Sequence, residues 1–240
     1  MRRISARSPD NWRSDAFFEI TRTIGQEHFP CPFAQKSLQV GSQWFVFLES
    51  LEPSELARLR LALLDYLHVT LSATGKHRLL LPLVVLVRPD PSDCDLHEYH
   101  RRGWSVLQYL HDHDDVPWPQ EVPLEPEHYL WSFCFSGIQI FINFSSPAHV
   151  ERRSRNLGSA MAFVINMRKN FDVVAGNNPE GAAVRRKVRG RVALFDGQPH
   201  GDDLGTYGDE ANREWRQYAA AESTAPIPSR CPLHLASKRT

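Results

Sequence analysis

Three stretches of the 240-residue chain concentrate side chains able to do chemistry. The first is "HDHDD", residues 111–115, just ahead of the turn "VPWP" at 116–119. His111 and His113 with Asp112, Asp114 and Asp115 have the donor types of a divalent metal site. The three carboxylates also match the fork of a cationic guanidinium. The plainer reading is a solvated helix end, although three acids there oppose the helix dipole.

The second stretch is "SSPAHVERRSRN", residues 145–156. Ser146-Pro147 reads as a helix start, which puts His149 in the first turn. Arg152, Arg153 and Asn156 follow three, four and seven residues later, on one face, with Arg155 close by. An imidazole beside guanidinium groups has its proton affinity lowered, stays neutral and can ligate iron. Guanidiniums next to such a ligand are also what anionic propionates require. The same spacing fits an exposed basic helix facing nucleic acid. The third stretch, "FPCPF" (29–33), presents Cys31 on a loop between prolines. Its thiolate is a candidate haem ligand. Such a cysteine is also a small buried hydrophobe, and Cys231-Pro232 repeats the dipeptide.

These stretches need elements to position them. Apolar spacing predicts helices over 14–27, with Ser14 as N-cap, and over 53–69, with a stripe of Leu56, Leu59, Leu63 and Leu67. A third helix is expected over 94–111, capped by Asp93. On it His97, His100, Trp104, Leu107 and His111 share one face, either half-buried or lining a planar cofactor. Strands are expected at 43–49, 79–88 and 161–167, and within 129–145, with a hairpin around Ser136-Gly137. A helix is expected over 146–158, and Asn178-Pro179 opens another that runs to about residue 194. Regular βαβ alternation is missing from this order. The expected fold is therefore a single α+β domain over 14–218, its mainly antiparallel sheet flanked by helices. Residues 1–13 and 219–240 read as a flexible N-terminus and a loose tail.

The totals narrow the function classes. Net charge is zero, so bulk charge points to no polyanionic partner. The charge is segregated, with acids concentrated over 90–130 and bases over 150–191. Four cysteines without CxxC spacing argue against a disulfide framework. The run "LLLPLVVLV" (79–87) is too short to span a bilayer, and the start has no apolar leader. A cytoplasmic protein without a membrane partner is expected.

The motifs "FPCPFA", "WSVLQYLHDHDDVPWP", "WSFCFSGIQIFINFSSPAHVERRSRNLG", "NMRKNFD" and "VRGRVALFD" occur in an order that resembles the YqcI/YcgG family over residues 28–208. One departure is Met167, where a proline often precedes the arginine. The resemblance implies a haem-dependent oxygenase that N-hydroxylates a guanidino or amine group, such as that of arginine, in a natural-product pathway. It implies haem b as cofactor, held without thioether links because C-x-x-C-H is absent. With no G-x-G-x-x-G fingerprint, electrons would come from a separate reductase or from peroxide. On this reading His149 is the first choice as iron ligand, His111 the second and Cys31 the third. Arg152, Arg153 and Arg155 would pair with the propionates. Trp104, Trp131 and Phe133 would pack on the ring, and Asp112, Asp114 and Asp115 would hold the cationic substrate. Two other classes remain open: a haem sensor or carrier without turnover, and a nucleic-acid-binding module using the basic 150–191 segment.

Overall fold

The computed structural model of the chain describes residues 11–74, 79–90, 92, 94–199, 204–222 and 228–236. Asp93 and most of the expected flexible N-terminus lie outside the described residues. Helix α1 (Trp12–Ile24) starts earlier than Ser14, after Asn11. Its Trp12 indole donates to the Glu49 carboxylate at 3.1 Å. The expected loop at "FPCPF" is instead the start of helix α2 (Pro32–Gln39). Cys31 is its N-cap, with Sγ accepting the Ala34 N–H, and Pro32 pre-sets the first helical residue.

Strand β1 (Trp44–Leu48) runs through helix α3 (Pro53–Ser72) to the parallel strand β2 (Leu83–Val87). All five β2 residues are buried, which accounts for its unbroken apolar run. Helix α4 (Leu96–Asp112) is capped by Asp95, whose side chain accepts the Glu98 N–H. Strands β3 (Cys134–Phe135) and β4 (Ile138–Ser145) form the expected hairpin. Ser136 and Gly137 both take left-handed φ angles, 51° and 72°, as a two-residue turn between twisted strands requires. Strand β5 (Met161–Met167) is followed by helices α5 (Arg168–Ala175), α6 (Pro179–Asp196) and α7 (Glu214–Tyr218).

The sheet order is β1-β2-β5-β4-β3, and every pairing after β1-β2 is antiparallel. Side chains alternate between two cores. Leu83, Val85, Ile142, Phe144, Phe163 and Ile165 face α3, α4 and α7. Val84, Leu86, Ala162 and Val164 face α1, with Phe195 of α6 in the same core. The chain is thus an α+β domain with helices on both sheet faces.

Two segments differ from expectation. Residues 146–158 form no α-helix, only a turn of 3-10 helix at Arg153–Arg155. Asn156 Nδ2 donates to the carbonyls of Pro147 and His149, and Asp196 takes the N–H of Ser154. Tertiary partners therefore replace the i to i−4 ladder. The expected loose tail contributes buried Ala220, Ala221 and Leu233. Gln108 of α4 exchanges hydrogen bonds with the His234 backbone. Residues 223–227 and 237–240 of that segment lie outside the described residues.

Candidate functional site

Helix α4 carries two separate polar clusters, one toward each end. The close approach of α4 to the sheet is set at Gly103. A Cβ there would meet the Phe144 ring at 2.6 Å, so only glycine lets the helix lie this near β4. That approach brings His100, one turn earlier, against the loop that follows β4. The rings of His100 and His149 lie 5.9 Å apart, centroid to centroid. The helix face expected around His149 does not form: the residue closes a turn through its N–H to the Ser146 carbonyl and is 2% exposed.

The electrostatics of this pair are one-sided. Arg152 and Arg155 are both buried. Burial, then the charges of Arg155, His100 and Arg152, push His149 down to about 3. Burial, then Arg155 and His97, push His100 down to about 4. Both rings are neutral at ordinary pH. His149 Nδ1 lies 3.3 Å from Glu222 Oε1. His100 Nε2 and Ser146 Oγ are buried and have no hydrogen-bond partner among the described residues. Buried polar atoms left in this state cost about 1–3 kcal/mol each, so their retention calls for a reason.

The other cluster is built around "HDHDD". His111 is buried with its ring against Trp118 at 5.9 Å. Asp114 accepts the Val116 N–H at 3.0 Å and, across the structure, the Ser136 N–H at 2.7 Å. It thereby pins the strained turn of the β3-β4 hairpin. Asp112 accepts from Gln108, and Asp115 pairs with Arg60 at the surface. The space between His111, Asp114, Trp118 and Cys134 is about 10 Å³, room for one water and too small for a guanidine.

The remaining candidates are dispersed. Cys31 sits beside the second core, on the far sheet face, where burial raises its thiol. Arg153 is exposed, its guanidinium 5.2 Å from the Phe195 ring. Trp104 lies one turn from His100 and packs on Phe144, Trp215 and Tyr218. Trp131 and Phe133 are fully buried around Trp118 and Tyr218. The basic segment is divided: Arg153, Lys169, Arg186 and Lys187 are exposed, and its other bases are engaged or buried. Arg185, Arg189 and Arg191 donate to backbone carbonyls, and Arg168 is buried.

A buried carboxylate escaped the sequence reading. Glu214 of α7 accepts from Ser132 Oγ at 2.5 Å and Tyr218 Oη at 2.9 Å, and pairs with Arg168 at 2.9 Å. Burial pushes it up to about 7, while Arg168, Ser132 and Tyr218 pull the other way. Nothing in the local pattern around "REWRQY" marks it as buried. A larger groove, about 610 Å³, opens between Gln43, Trp44, His68 and Leu81. It lies at the start of β1 and β2, whereas the strand register puts His149 at the opposite end of the sheet.

The pattern of the YqcI/YcgG family matches residues 20–234. A Streptomyces lavendulae protein named "Putative N(omega)-hydroxy-L-arginine synthase DcsA" is 42% identical over 225 residues, 93% of this chain and 84% of that protein. Two Bacillus subtilis (strain 168) proteins, named as uncharacterized YcgG and YqcI, are 31% and 27% identical. They cover 97% and 92% of this chain, and 92% and 87% of their own lengths. No solved structure matches the chain.

Proposed function

This chain belongs to the YqcI/YcgG family, and on that premise we propose that it is an enzyme that N-hydroxylates the guanidino group of arginine or a close analogue, using haem b. The Streptomyces relative's name supports the reaction class. The single observation that carries the cofactor reading is the His100–His149 pair. A buried and a half-buried imidazole, both neutral and the second with an orphaned Nε2, stand beside two buried guanidiniums. That donor set fits an iron porphyrin with two propionates.

In this reading His149 would ligate the iron, and His100, whose ring lies 5.9 Å from that of His149, would border the same group. Arg152 and Arg155 would pair with the propionates, and Trp104 would offer an aromatic face to the ring. Bound haem supplies the activation of dioxygen or peroxide, which no ordinary side chain provides, and a separate reductase or peroxide supplies the electrons. Burial and the neighbouring guanidiniums keep the imidazoles unprotonated, and Arg152 and Arg155 would face the cofactor's anionic edge. Asp112, Asp114 and Asp115 serve the architecture rather than the substrate. No helix among the described residues is long and apolar enough to cross a membrane.

The test is direct. Purified protein should show a Soret band that acid–acetone extraction removes. With arginine and a reductant plus oxygen, or with peroxide, it should yield a product one oxygen heavier at the guanidine. A haem-loaded protein that binds oxygen but gives no such product would make it a sensor or carrier. A colourless protein that cannot be loaded with haem would remove the cofactor reading.

A further inference from the structure

Glu222 lies in the segment after α7, more than seventy residues from the loop it contacts. Its two oxygens accept from three backbone N–H groups and face one ring nitrogen. Oε1 takes His149 Nδ1 at 3.3 Å and the Val150 N–H at 2.8 Å. Oε2 takes the N–H groups of Glu151 and Arg152, each at 3.1 Å. The His149 side chain is 1% exposed and that of Glu222 15%. Three consecutive backbone N–H groups and one ring nitrogen converge on one carboxylate.

We infer that Glu222 is a positioning residue that holds His149 in the Nδ1–H tautomer and so leaves Nε2 without a proton. The inference rests on the reading of His149 as a metal ligand, and it supplies what that reading lacks. A carboxylate has no proton to give, so the ring nitrogen facing it must be the donor. A neutral imidazole carries one proton, so the other nitrogen is left bare. The three backbone bonds fix the carboxylate, and the carboxylate fixes the ring's rotation. The charged neighbours that act on the ring, Arg155 and Arg152, are cationic, and a guanidinium has no acceptor to offer Nδ1–H. A ligating histidine held by a carboxylate has a fixed orientation and a more basic ligand atom, and losing such a partner costs about 10–100-fold in metal affinity.

The test begins without haem. In the apo full-length protein carrying isotope-labelled histidine, the ring nitrogens of His149 are read at neutral pH by two-bond proton–nitrogen NMR. His149→Asn removes and so assigns the signals. The expected pattern is a protonated Nδ1 and an unprotonated Nε2. Glu222→Gln keeps the size but turns one oxygen into a donor, which opposes N–H groups; Glu222→Ala removes the acceptor. Both should convert His149 to a mixture or to the Nε2–H form. Wild-type protein in the Nε2–H form, which needs no variant, overturns the inference. So does an unchanged tautomer in either folded variant, because a merely structural Glu222 would lower stability and leave the tautomer alone. In a separate haem titration, Glu222→Ala should bind about 10–100-fold more weakly. Unchanged haem binding by His149→Asn would instead sink the ligand reading while the tautomer result stands.

Discussion

His100 and His111 sit eleven residues apart on α4, which at about 1.5 Å per residue separates them by about 16 Å. Around His111 the acids have partners. Asp114 holds two backbone N–H groups, Asp115 has Arg60 and Asp112 has Gln108. The space left there suits one water. Around His100 the balance is reversed. Cationic guanidiniums crowd two neutral rings, and buried polar atoms are left without partners among the described residues. A polar cluster that satisfies itself holds a fold together. One that leaves buried atoms unsatisfied carries a cost that the fold alone does not explain.

The largest effect should come from breaking the two ends in parallel. His149→Ala should lower haem occupancy by more than about a hundredfold, since even a partner of a ligand is worth 10–100-fold. His111→Ala should leave the folded protein's Soret band per polypeptide unchanged. Equal loss in both variants, in protein shown to be folded, would erase the distinction between the ends.

Asp114 should show the opposite profile. Hydrogen bonds to a charged acceptor are worth about 1.5–3 kcal/mol each, and Asp114 makes two to backbone N–H groups. One of those donors belongs to Ser136, a non-glycine residue held at a left-handed φ. Asp114→Ala should therefore reduce unfolding stability in urea by about 3 kcal/mol. Haem affinity of the folded fraction should stay the same. A stable variant with weakened haem binding would place Asp114 in the cofactor site.

The two ends also differ in how readable they were. Local pattern suffices for β5, for the Ser136-Gly137 hairpin and for α6 after Asn178, because each is specified by its own residues. The 146–158 segment misleads because its partners are remote: Glu222 and Asp196 take the N–H groups that a helix would use or leave to water. His149 stands out in the sequence through its neighbours Arg152 and Arg155. His100 stands out only as one member of the stripe it shares with His97, Trp104 and His111, since its meeting with His149 depends on the approach at Gly103. Glu222 and Glu214 are legible only in three dimensions, as one lies in an aperiodic stretch and the other carries no local mark of burial. "HDHDD" shows the converse, with its most conspicuous charges engaged by Gln108, Arg60 and two backbone groups.

Acid should act on the histidine end. His149 and His100 are depressed to about 3 and about 4, mainly by burial. Between those values and the ordinary 6.5, the unfolded chain binds protons that the folded one refuses. The unfolded state holding more protons makes stability rise with pH across that window, so it is lost as pH falls from about 6.5 toward 3 to 4. Each ring contributes a slope of up to about 1.4 kcal/mol per pH unit. Apo protein with both histidines replaced by asparagine should show a flatter stability curve over this range in urea titrations at stepped pH. An unaltered curve would mean that the rings are solvated.

The smallest effect concerns the most conspicuous charge. The Asp115 side chain is 83% exposed, and its ion pair with Arg60, 25% exposed, stands at 3.1 Å at the surface. Salt screens such a pair, and holding two side chains in one geometry offsets much of the attraction. Asp115→Asn should leave unfolding stability unchanged within error. It should also change arginine affinity, read from the Soret shift on titration, by less than about twofold, because screened surface pairs of this kind contribute little. A guanidinium clamp predicts otherwise: losing a charge-assisted bond of about 1.5–3 kcal/mol corresponds to a tenfold or greater loss of affinity. The same titration with Asp112→Asn covers the other exposed acid. A tenfold fall in either variant, with haem content intact, would bring the substrate to the His111 end of α4. The two clusters would then be two parts of one site rather than a site and a brace.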